Sequence, residues 1–374
     1  MKKKILVGIL VVVLLAAIVA SFQLGNTENI KVGLLAPLTG PIPTIGNDVK
    51  NGILVAADEI NKAGGINGKK IDLIIEDSKC DASAGLSAFK KLVEVDNVKA
   101  MLGITCSSVA FTTQELSNSG KLPTIHALVS GWKNNQTGGY IFNIWPGAMY
   151  ETPFDANYIY NKLGWKKMAI IYVNNDFGKA FQTSFKSSFE ALGGSIAVSE
   201  AHEAKETDFK TILTKIKSAK PDGIYLVSLE IPAISLVRQA VELGFDPNKI
   251  FAVGGIVGHN FLDSTKGEAD GIIVNRIIDI NSQEYKTLSE KSAKLFGQEI
   301  ETTAGLTGYD SVYILSAGLK DGGEDAEKIR DAIQKIKYAG LSGKIELDQF
   351  GKLKEKQDFF VYSIENGKLD GTIK

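Results

Sequence analysis

What most constrains this chain is a strict alternation of short apolar runs with stretches of helical spacing, repeated along nearly its whole length. The alternation is sharpest in MLGITCSSVAFTTQELSNSGKLPTIHALVSGWKN, residues 101–134. Apolar runs at 100–104 and 122–126 read as buried strands, and a helix between them begins at Ser107 or Ser108. Strand, helix and strand in that order make a βαβ unit. Ligands of open parallel sheets sit outside the carboxyl ends of the strands, so the loops after both strands should line one crevice. The first loop offers Thr105, Cys106, Ser107 and Ser108, and the second runs from His126 to Gly131. Backbone N–H groups at a helix start lack partners within the helix, and with serine hydroxyls they suit an anion such as a carboxylate. A serine there also serves as an ordinary helix cap, the commoner role on these residues alone.

A chain of 374 residues is long enough for two domains, each with its own core. Its 44% hydrophobic and 23% charged residues are the balance of a globular protein, and a net charge of −1 gives nucleic acid nothing to be drawn to. Lys2, Lys3 and Lys4 lead into an uncharged run at 5–22, the pattern of an export signal. Val19 and Ser21 suit a cleavage site, while the length of the run also suits an uncleaved membrane anchor; the absence of a nearby cysteine excludes a lipoprotein anchor. Either way the body from Glu28 onward works outside the cytoplasm, in the periplasm or at the cell surface. Cys80 and Cys106 are the only cysteines, and in an oxidising space such a pair reads as bridged rather than free. A bridge there would stabilise the fold by roughly 3 kcal/mol on the chain-entropy model, and it argues against a catalytic thiol at Cys106. Two cysteines and three scattered histidines make no zinc site.

In chain order, a strand at 29–35 is followed by the Pro/Gly-rich loop APLTGPIPTIGND. Helical spacing over 48–63 places Val49, Ile53, Ala56, Ala57 and Ile60 on one side and stops at Gly64-Gly65. A turn at Asn67-Gly68, a strand at 71–76 and a helix over 82–95 lead to the βαβ unit. After a strand at 140–144, WPGAMYETP interrupts the alternation with two prolines and marks the first passage between domains. A second series has helices at 153–163, 180–192, 209–218 and 234–243 and strands at 167–173, 195–201, 223–228 and 250–253. A strand at 271–277 leads back, helices follow at 284–296, 303–319 and 326–336, and the tail has turns at Phe350-Gly351 and Asn366-Gly367. The pattern is that of an α/β protein with two similar domains in tandem, each a parallel sheet covered on both faces.

No G-x-S-x-G elbow, Walker A pattern, HExxH or dinucleotide fingerprint occurs, so neither catalysis nor a cofactor has a visible candidate. The segments KVGLLAPLTGP, NGILVAADEINKAGGINGKKIDLIIED, CSS, NDFG, ETDFKTILTKIKSAKPDGIYLV, TGYDSVYIL and GLSGKIELDQFGKL, in that order and with the Cys80 and Cys106 pair, have a known counterpart. They resemble the leucine/isoleucine/valine-binding family of extracytoplasmic solute-binding proteins, which feed ABC importers. The resemblance implies two Rossmann-like lobes of the periplasmic-binding-protein type I, joined by a three-segment hinge that closes on a ligand. On that basis residues 1–27 are signal or anchor, 28–146 with 277–357 form the first lobe, and 147–276 with 358–374 form the second. It also implies a Cys80–Cys106 disulfide, no enzymatic activity, and a monomer that hands a small molecule to ABC permease subunits and meets the membrane only through its amino-terminal segment.

Carried over by position, the family's carboxylate site falls on Ser107 with Ser108, then on Leu128 and Ser130. The other half of the site departs from the family. Gly255 stands where amino-acid binders carry an acidic partner for the ligand's ammonium, Phe177 stands in place of a tyrosine, and Leu229 and Ile45 stand in place of aromatic groups. An ammonium buried without a counter-charge is costly. Either Glu230 supplies the charge, or the ligand has no α-ammonium. The expectation is a small carboxylate with a hydrophobic body, walled by Phe177, Leu229, Trp145, Met149 and Tyr150; Trp145 and Met149 also fit ordinary hinge packing. The rivals are a membrane-tethered sensor using the same cleft and, from another class, an amide- or carboxylate-processing enzyme.

Overall fold

The computed structural model describes residues 28–131, 139–354 and 358–372, so the expected export segment lies outside the described residues. The first sheet is built from β1 (Ile30–Ala36), β2 (Ile71–Asp77), β3 (Ala100–Ile104), β4 (Thr124–His126) and β5 (Ile141–Asn143). Their order in space is β2-β1-β3-β4-β5 and every pair is parallel. All of β3 and most of β1 are buried, because helices cover both faces and no alternation with polar residues is needed. The core gathers Val32, Leu34, Ile53, Phe89, Met101 and Leu102, and completes itself with Ile314, Ile333 and Ile345 from far along the chain.

The second sheet takes β6 (Lys167–Val173), β7 (Ser195–His202), β8 (Gly223–Val227), β9 (Ile250–Ala252) and β10 (Ile273–Arg276). The chain then returns to the first lobe through the helices Gln283–Phe296, Ala304–Gly322 and Ala326–Gln334 and a hairpin of β11 (Lys337–Gly340) and β12 (Gly343–Glu346). It finally crosses back to add β13 (Phe360–Glu365) and β14 (Lys368–Thr372), giving the order β14-β13-β10-β9-β8-β6-β7. The last two strands are antiparallel and turn at Asn366-Gly367, where φ of 52° and 69° suits the primed hairpin turn that such a dipeptide favours. One face of this sheet packs Phe181, Phe185 and Phe189, with the Phe185 ring stacked on Tyr225 at 3.8 Å, and the other packs Leu213, Leu236, Val237 and Phe261. The chain thus crosses between two parallel-rich α/β lobes three times, after β5, after β10 and before β13.

Four helices begin earlier than their apolar spacing indicates. They start at Pro43 rather than 48, at Ala148 rather than 153, at Asp176 rather than 180 and at Glu230 rather than 234. Three share a cause, and the Ala148–Asn157 helix differs in carrying Pro153 in its interior, where a proline reads as a helix start. The first turn of a helix has no i−4 bonds to lose, so prolines and polar residues are tolerated there and hide it from a periodicity argument. Pro43 stands in the first turn, and Asn175 accepts the Gly178 N–H at 2.9 Å as a cap.

Candidate functional site

A cavity, partly open to solvent, lies at the carboxyl ends of the strands of both sheets. Ser107, Ser108, Leu128, Ser130 and Ile45 border it from the first lobe, and Phe177, Leu229 and Gly255 border it from the second.

The serine side is set by the Ser107–Ser119 helix, whose N-cap, Cys106, is extended and makes no side-chain cap. The Cys106 carbonyl accepts from Val109 and Ala110 at 3.1 and 3.0 Å, so the N–H groups of Ser107 and Ser108 precede the first bonds of the helix. A disulfide to Cys80, with Cα atoms 5.5 Å apart, ties this start to the loop after β2. Ser107 is buried and its Oγ accepts the Gly131 N–H at 3.0 Å, which leaves the hydroxyl proton for another acceptor. Gly131 is required for this approach, because a Cβ there would stand 3.1 Å from Ser107 and 2.9 Å from the Asp176 carbonyl of the other lobe.

The opposite wall is largely apolar: Leu229, Val253 and Ile256 are buried, and Phe177 lies 4.9 Å from Phe181, centroid to centroid. A Cβ on Gly255 would meet only the tip of the Ile45 side chain, at 3.3 Å. Glu230 is not among the residues lining the cavity. As the first residue of its helix it turns toward the first lobe, where its carboxylate accepts from Thr44 Oγ at 2.8 Å and Thr44 N at 3.2 Å, and from Asn260 Nδ2 at 2.6 Å. Trp145 borders the cavity, whereas Met149 and Tyr150 border a separate small hollow beside Leu353, and Met149 is 49% exposed. The expected walls therefore reduce to Phe177, Leu229 and Trp145.

Two charged residues of the cavity were not anticipated. Glu151 lies on the Ala148–Asn157 helix and Arg276 ends β10; both are 3% exposed and both line the cavity. Arg276 donates through Nη2 to the Val257 carbonyl, while its Nε and Nη1, like Glu151 Oε2, have no hydrogen-bond partner. Between them Asn275 donates to Asp155 at 2.6 Å and accepts from Gly254 N at 3.2 Å, and Tyr225 donates to Asp155 at 2.6 Å. Burial, reinforced by the neighbouring Asp155, holds the Glu151 carboxyl well above the usual carboxylate range, and burial lowers Arg276. Glu151 escaped notice because Pro153 read as a helix start and turned the preceding turn into linker. Arg276 had a signal, a lone charge in the strand IVNR.

Among the described residues no group of three or more His, Cys, Asp or Glu side chains is placed to hold a metal ion. The leucine-, isoleucine-, valine-, threonine- and alanine-binding protein of Pseudomonas aeruginosa is 27% identical over 346 residues, covering 92% of this chain and 91% of that protein. The branched-chain amino acid transporter substrate binding protein of Streptococcus pneumoniae, solved with isoleucine, superposes with a TM-score of 0.83 at 25% identity over 92% of this chain and 98% of its own. A solute binding protein of an ABC transporter from R. palustris, solved with benzoate, gives 0.80 at 19% identity over 91% and 95%. The family model described as periplasmic binding protein matches residues 29–368, which takes in both sheets, all three crossovers and the cavity. With two lobes of this topology and a cleft between them, the chain belongs to the periplasmic binding protein family.

Proposed function

We propose that the protein is an extracytoplasmic solute-binding protein that takes a small carboxylate with an apolar body into its cleft and delivers it to an ABC permease. The observation that carries this reading is the pairing of two unlike surfaces across one cavity: the open amino end of the Ser107–Ser119 helix with Ser107, Ser108 and Ser130, and the apolar wall of Phe177, Leu229 and Ile256. A carboxylate suits the first and a hydrocarbon body the second. Isoleucine and benzoate, the ligands of the two solved relatives, have in common a carboxylate on an apolar frame. Binding and release, rather than turnover, is the function of a cleft of this kind.

Thermal shift of the purified protein against amino acids, hydrophobic monocarboxylates, dicarboxylates and the corresponding amides tests the reading. A carboxylate at a hundred times its dissociation constant should stabilise by about 2.7 kcal/mol, a rise of a few degrees in a chain of this size. The amides should shift little. Stabilisation by amides and sugars but by no carboxylate would overturn it.

A further inference from the structure

We propose that Arg276 and Glu151 form a second anion-holding pole of the cleft, so that the solute carries a carboxylate at each end of an apolar body. The inference rests on the function proposed above and extends it from one end of the ligand to the other.

Arg276 ends a strand in the interior of the second sheet, between β9 and β13, and its guanidinium is fixed at one corner by the Val257 carbonyl. The remaining nitrogens, Nε and Nη1, are buried in the cavity wall without partners. A guanidinium stays charged in a protein, and a buried charge with no direct counter-ion and two of its three nitrogens without partners is costly to carry. No acid nearby bonds to it directly. Both Asp155 oxygens already accept, one from Tyr225 and one from Asn275, and among the described residues no ion pair joins Arg276 to a carboxylate. Glu151 lines the same cavity with Oε2 unpartnered, and burial, reinforced by Asp155, raises its carboxyl, which favours the donor form over a counter-charge. Two guanidinium nitrogens and a carboxyl proton together ask for one anionic group with two acceptor oxygens, which is a carboxylate. Ser107 borders the same cavity from the first lobe and suits a second carboxylate, and the apolar lining of Phe177, Leu229 and Ile256 fits a hydrocarbon spacer. An α-amino acid with a hydrocarbon side chain would instead leave the arginine facing a methyl group.

Calorimetric titration of the purified protein with a homologous series of α,ω-dicarboxylates, the matched monocarboxylates and the matched α-amino acids decides the matter; adipate, hexanoate and norleucine are one such trio. The best dicarboxylate should bind about tenfold or more tighter than its monocarboxylate, in line with charge-assisted bonds to a buried arginine. Arg276→Met should erase that advantage while leaving the monocarboxylate within about threefold, and Glu151→Gln, which keeps a donor, should retain most of it. Unchanged thermal unfolding of both variants guards against misfolding. Equal affinity for mono- and dicarboxylates, or an advantage that survives Arg276→Met, would overturn the second pole and leave the function standing. Norleucine binding best and failing in Glu151→Gln would overturn it in favour of an ammonium site. Absence of binding by any carboxylate would instead overturn the proposed function itself.

Discussion

Ser107 does two things with one oxygen: Oγ accepts from Gly131 N and keeps a proton to give. Ser107→Ala removes the donor and strands a buried N–H, so affinity for a carboxylate ligand should fall about tenfold and the unliganded protein should lose about 1–2 kcal/mol, read by calorimetry and by thermal unfolding. Asp48 offers a pH test at the same scale. Its Oδ2 alone accepts from Glu301 N at 3.2 Å and from Thr302 N and Oγ at 2.7 Å each. Burial pushes its carboxyl from 3.8 up to about 8 against these donors. The native state thus keeps a proton that the unfolded chain has already lost. Stability from this source is complete below the unfolded value of 3.8 and is lost as pH rises through about 8. Asp48→Asn can present its carbonyl oxygen to the same three donors and does not titrate. Its melting temperature should therefore decline less than the wild type's between neutral and alkaline pH, in a scan of Tm against pH.

Among the elements, the starts of helices matter most, because they are where the lobes meet. Thr44, in the first turn of the Pro43–Lys62 helix, gives two hydrogen bonds to Glu230 at the first residue of another, and the Ile231 N–H reaches the Pro41 carbonyl at 3.1 Å. These bonds join the two lobes and belong to neither core. Thr44→Ala should leave the melting temperature of the empty protein nearly unchanged and raise the ligand dissociation rate about tenfold, with the association rate little altered, in stopped-flow measurements. The same first turns mark the limit of what the sequence reveals. Interior strands such as β3 and β8 are legible because each is a short uninterrupted apolar run between turns, and the Ser107 side of the cavity is legible because strand, loop and helix follow one another without a break. Residues 148–152, 176–179 and 230–233 read as loop in the sequence, since a first helical turn carries no apolar stripe of its own. Glu151, on such a turn, reads as linker, and Glu230, one of the two ways to answer a ligand's ammonium, meets Thr44 from its place at a helix start. Arg276 needed something no periodicity supplies, the knowledge that its strand runs out into a cavity.

For the molecule as a whole, both cores depend on residues that arrive late. Ile314, Ile333, Ile345 and Leu353 fill the first, while Val361, Tyr362 and Ile364 fill the second. Deleting the chain beyond Leu353 would strip β13 and β14 from the second sheet and expose the edge of β10. Such a truncation should aggregate and show no cooperative unfolding by calorimetry. A ribosome releases the amino-terminal end first, yet no finished core exists for a nascent chain to settle into until its final strands have emerged.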